Sequence, residues 1–72
     1  HRITARLANP VSNSITLILF DDVGVMHGIW HIRAIPNVPL EVGLDVGQNS
    51  AGSYRLQIFD GKEMKSENLQ IK

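Results

Sequence analysis

Three kinds of side chain in this sequence could do chemistry: a histidine pair, adjacent carboxylates and several serines. His27 and His31 flank Gly28, Ile29 and Trp30. On a helix, a spacing of four would place both imidazoles on one face, where they could share zinc. In a strand the same spacing spans roughly 13 Å. The surrounding residues read as a strand, so the expectation is two surface or edge histidines beside a tryptophan. Asp21 and Asp22 could lend oxygen ligands to calcium. No D-x-[DN]-x-[DN]-G loop accompanies them, and turn initiation explains the pair more simply. Ser12, Ser14, Ser50, Ser53 and Ser66 lie in polar turn or strand contexts without a G-x-S-x-G elbow. The six glycines form neither G-x-G-x-x-G nor a P-loop. Without cysteine there is no disulfide framework and no thiolate metal site. The expectation is a protein that is not an enzyme, with no catalytic residue, metal or cofactor.

The elements that would position these residues have period two. Leu40, Val42, Leu44 and Val46 alternate with Glu41, Gly43, Asp45 and Gly47, and Tyr54, Leu56 and Ile58 alternate with Ser53, Arg55 and Gln57. Such alternation sends one set of side chains to a core and the other to water. Glycines and prolines interrupt nearly every window long enough for a helix. Six strands are predicted: Ile3–Leu7, Ser14–Phe20, Val25–Ala34, Val38–Val46, Ser53–Phe59 and Lys65–Ile71. The first is the weakest, so that residues 1–8 read as a linker or a weak strand. Ser14–Phe20 is apolar on both faces and belongs at the centre of a sheet. Gly28 marks a candidate bulge. Asp60-Gly61 predicts a type I′ turn, with positive φ at both residues, joining the last two strands as an antiparallel hairpin. Short strands punctuated by turns predict an all-β, immunoglobulin-like antiparallel sandwich of six to seven strands. Trp30 is expected in the core or against a neighbouring domain, because large aromatics dominate core burial.

Composition narrows the function classes. Seventy-two residues make a single domain. Seven basic and seven acidic residues cancel, which argues against a nucleic-acid footprint and against polybasic attachment to a membrane. No apolar run approaches the roughly 20 residues of a transmembrane helix. The sequence begins at His1-Arg2-Ile3 with neither an initiator methionine nor a signal peptide, and is expected to be cut from a longer protein.

The order of the motifs carries a resemblance. Asn9-Pro10-Val11 comes first, followed by Phe20-Asp21-Asp22-Val23-Gly24, then Gly52-Ser53-Tyr54 with alternating apolar residues, then Leu69-Gln70-Ile71-Lys72. Over residues 8–72 this resembles the C-terminal sorting domain of the type IX secretion system of Bacteroidetes, also known as the Por secretion system or gingipain-type C-terminal domain. Two departures stand out. The family often has arginine after the D-x-x-G glycine, where this chain has Val25. It also commonly fits two strands between its first two motifs, where this chain fits one.

The resemblance implies a secretion signal at the C-terminus of an exported parent. The parent would pass through the periplasm, then the outer-membrane translocon, to the cell surface, outer membrane or medium. The implied partners are translocon, shuttle or sortase components and the parent's own N-terminal domains. The implied motif residues are Asn9, Pro10, Val11, Asp21, Gly24, Gly52 and Tyr54. The final strand, through Leu69, Gln70, Ile71 and Lys72, would be read by strand addition. Exposed sheet edges also leave room for a homodimer. The competing readings are a non-signalling immunoglobulin-like accessory domain and a carbohydrate-binding module, the latter requiring an exposed Trp30.

Overall fold

The computed structural model describes residues 2–47 and 51–71. Six strands follow in chain order: β1 Arg2–Leu7, β2 Ser14–Asp21, β3 Met26–Arg33, β4 Leu40–Asp45, β5 Gly52–Phe59 and β6 Met64–Ile71. All pairings are antiparallel. One sheet holds β1 and β4, and the other runs β3-β2-β5-β6. The fold is an immunoglobulin-like β-sandwich. On that plan the two-stranded sheet occupies the places of strands B and E, and the four-stranded sheet those of C′, C, F and G.

Burial explains why the layers adhere. β2 is the central apolar strand its sequence predicts, and it sends Ile15, Leu17 and Leu19 fully into the core. β5 adds Tyr54, Leu56 and Ile58 from the same face. The opposite layer supplies Ala5, Leu7 and Leu44, with Val46 just beyond β4. Each fully buried aliphatic side chain contributes about 1.5–3 kcal/mol, and no disulfide supplements them.

The first segment is a strand in full. Ala5 pairs with Val42 and Leu7 with Leu40 across the smaller sheet, and both Ala5 and Leu7 are buried. A linker at residues 2–7 would strip one wall from the core. Between Pro10 and Asp21 there is a single strand, β2, as the sequence predicts.

The closing hairpin needs a correction. Its strands pair as expected, with Phe59 opposite Met64, but its turn is not type I′. Positive φ occurs at Gly61 (95°) and not at Asp60, which matches the signs of a II′ connection over Gly61-Lys62. The reason lies in the Asp60 side chain. Its Oδ1 accepts the N–H groups of Glu63 at 3.1 Å and Lys62 at 3.5 Å, while its own N–H donates to the Glu63 carbonyl at 3.2 Å. Asp60 thus caps the turn from outside it, buried with 4% of its surface exposed.

Only the part of the four-stranded floor under the smaller sheet is roofed. On β6 the side chains facing the roof are Lys65 opposite Ile58, Glu67 opposite Leu56, Leu69 opposite Tyr54 and Ile71 opposite Gly52. Ile71 is buried and Leu69 half-buried, whereas Lys65 and Glu67 remain in solvent.

Candidate docking site at one pole of the sandwich

The connection from β2 to β3 is built around one carboxylate. Asp21 Oδ1 accepts the N–H of Val25 at 2.9 Å and that of Val23 at 3.0 Å. The Gly24 N–H donates to the Asp21 carbonyl at 3.2 Å, and the Asp21 N–H to the Val25 carbonyl at 3.0 Å. Gly24 has φ of 92°, the left-handed position that follows a type I turn in a three-residue hairpin loop. The adjacent aspartates are therefore turn chemistry: Asp21 closes the loop and Asp22 projects into solvent.

A bulge gives a role to a residue that the sequence marks only as a surface or edge histidine. Leu19 pairs with Gly28 and Phe20 with Met26, leaving His27 as the extra residue. The irregularity turns His27 towards the Tyr54 side of the sheet. There its Nε2 donates to Asp21 Oδ2 at 2.8 Å, and its ring meets that of Tyr54 edge-on, with centroids 5.6 Å apart. The His27 bond, then the Val25 and Val23 amides, hold the Asp21 carboxyl below its ordinary range against some desolvation. Gly28 beside the bulge was a legible signal, but only the pairing shows which residue is extruded. His31 lies on the other face, hydrogen bonded through Nδ1 to Thr16 Oγ1 at 3.2 Å.

Below this turn lies an open groove of about 550 Å³, lined by Asp21, Asp22 and Gly24 from the loop, Ser53, Tyr54 and Arg55 from β5, and Asn68, Leu69 and Gln70 from β6. Three motifs far apart in sequence meet here. The register explains why: Asp21 pairs with Tyr54, and Tyr54 in turn with Leu69. Gly52 opens β5 next to the groove, opposite Ile71. Ser53, Arg55 and Asn68 are lining residues that the motifs did not single out. The groove brings together the carboxylates of Asp21 and Asp22, the Arg55 guanidinium, the Asn68 and Gln70 amides and the Ser53 hydroxyl, a set suited to hydrogen bonding an extended peptide.

Asn9, Pro10 and Val11 do not join this site. They sit at the opposite pole, where the Pro10 carbonyl accepts the Asn37 N–H at 2.9 Å. Pro10 is fully buried. The Val11 N–H points to the Asp60 carboxyl, which the Glu63 amide first, and then those of Lys62 and Val11, hold below the ordinary range with help from the Lys65 charge. Lys72 lies outside the described residues.

Trp30 is half-buried and packs on the core. Its indole lies across Gly28, where a Cβ would stand 2.5 Å from the ring. The exposed platform required by a carbohydrate-binding reading is therefore not provided by this residue. Among the described residues no group of three histidine, cysteine or acidic side chains could hold a metal ion, and no helix is long and apolar enough to cross a membrane. No protein-family model, curated protein or solved structure matches the chain.

Proposed function

We propose that this domain is a sorting signal for the type IX secretion system, read by a translocon or shuttle component at the groove beneath the Asp21–Gly24 turn. One observation carries the reading: three of the motifs that make up the resemblance, distant in sequence, line one groove. A second feature supports it. β6 is an edge strand of the four-stranded sheet, so a partner segment can add to it through main-chain hydrogen bonds while the groove selects its side chains. Asn9-Pro10-Val11, at the far pole, then serves the fold by anchoring the start of β2 rather than by touching the receptor.

The test is a reporter carrying a cleavable signal peptide and residues 1–72, expressed in a bacterium with a working type IX system. Surface display is expected, with periplasmic retention in a translocon mutant. Exchanging the exposed Asn68 and Gln70 for lysine should retain the reporter in the periplasm while its circular dichroism spectrum is unchanged. Truncation after residue 68 should do the same, with a spectrum that separates lost recognition from lost folding. Undiminished display of the well-folded lysine variants would remove the groove from the mechanism. Equal display with and without the translocon would leave an accessory domain with no signalling role.

A further inference from the structure

The two outer faces of the sandwich differ in character. On the smaller sheet, Arg6 pairs with Glu41 at 2.9 Å and Arg2 stands opposite Asp45, giving a polar face that neutralises itself. The outer face of the four-stranded sheet is apolar along a diagonal. Met26 and Phe20 share one cross-strand row, Ile29 and Ile18 the next, and Phe59 and Met64 the third. Met26, Ile29, Phe59 and Met64 remain between 42% and 62% exposed. An outer sheet face of this kind is normally polar, and a contiguous apolar patch marks an interaction surface.

Charge narrows the partner. Arg55 flanks the diagonal on one side, and His31 and Arg33 flank it on the other. None of the seven carboxylates of the chain stands in the cross-strand rows of this face, although Asp21 and Asp22 line the groove that Arg55 also borders. Asp21, Asp22, Asp60 and Glu63 belong to the two hairpin turns; Glu41 and Asp45 are on β4, and Glu67 faces the roof side of β6. The molecule is neutral overall, yet the rows of this face hold arginines and no acid. A second copy is a poor fit, because a two-fold interface sets the same patch against itself and would oppose arginine with arginine. Thr16, Gln57 and Ser66 interleave with the apolar residues, a mixture that suits reversible docking better than a permanent seam.

We propose that this face docks an acidic amphipathic helix of a separate protein, its apolar side lying along the diagonal from Met26 to Met64 and its flanking carboxylates meeting Arg55 on one side and Arg33 on the other. The diagonal crosses four strands and three rows, roughly 20 Å, which a helix of about 14 residues spans. The inference does not depend on the export reading: Arg55 borders both the groove and this face, but the apolar diagonal and Arg33 lie outside the groove lining.

The test uses two synthetic helical peptides of about 14 residues, identical in their leucine stripe, one bordered by glutamate and the other by lysine. In a titration followed by amide NMR, the glutamate peptide should bind and shift Phe20, Ile29 and Phe59. Replacing Arg33 and Arg55 with glutamate should weaken it roughly tenfold and transfer preference to the lysine peptide. Arginine-to-glutamine variants serve the same purpose if the reversals disturb folding. Equal binding of both peptides, binding of neither, or shifts confined to the smaller sheet would each overturn the proposal. So would a concentration-dependent dimer that protects the same amides, or arginine-dependent binding to phosphatidylglycerol vesicles without peptide binding.

Discussion

Gly28 is the position where one added methyl group is felt most, because the Trp30 indole occupies the space. Gly28→Ala is expected to push the ring off the core edge and cost about 1–3 kcal/mol, seen as a lower urea midpoint together with red-shifted tryptophan emission. An unchanged spectrum would mean that the indole does not rest there. Asp21 and Asp60 make a second prediction. Both carboxyls are held below their ordinary value of 3.8 in the folded chain. A carboxyl shifted that way adds stability that is complete above its unfolded pKa and is lost as the pH falls through the lower, folded one. The urea midpoint should therefore drop below about pH 4. Asp60→Asn, which keeps an acceptor at Oδ1, should flatten that acid limb; an unaltered limb would mean the capping bonds are not coupled to the charge. Asp21 as a turn residue was legible from Asp21-Asp22-Val23-Gly24. His27 as its partner was not, because strand parity assigns that side chain to the opposite face until a bulge intervenes.

At the scale of elements, the alternation in β5 and the two-faced apolarity of β2 announced their places directly. β1 was harder to read, because its worth depends on β4, whose Val42 meets Ala5 from about half the chain away. Local pattern carries no trace of such a partner. The type of the last turn was hidden for a related reason: the Asp-Gly pair fits I′ by propensity, but the Asp60 side chain takes over the capping and moves the loop by one residue. Removing residues 1–7 is expected to abolish the cooperative thermal transition followed by circular dichroism. A surviving sharp transition would show the smaller sheet to be dispensable. Leu17→Ala, at the centre of β2, should cost about 2–5 kcal/mol. Against the roughly 3–5 kcal/mol available to a chain of this size, it should leave much of the population unfolded in water.

Over the whole molecule, every sheet depends on partners distant in sequence except at the two hairpins, since Leu17 pairs with Ile58 and Arg2 with Asp45. Such a topology folds in milliseconds to seconds, and Trp30 gives stopped-flow fluorescence a single reporter; a microsecond phase carrying the full amplitude would contradict that expectation. The groove as a site could not be read before the register was known, since its three contributing segments adjoin only after β2, β5 and β6 are aligned. The uneven layers have one more consequence. Lys65 and Glu67 hold charge on the unroofed half of an edge strand, where a bare hydrophobic ribbon would recruit other chains into fibrils. Replacing both with valine should make the domain nucleate thioflavin-positive aggregates that the unaltered chain does not form, which makes this pair of ions the guard on an open β-edge in crowded company.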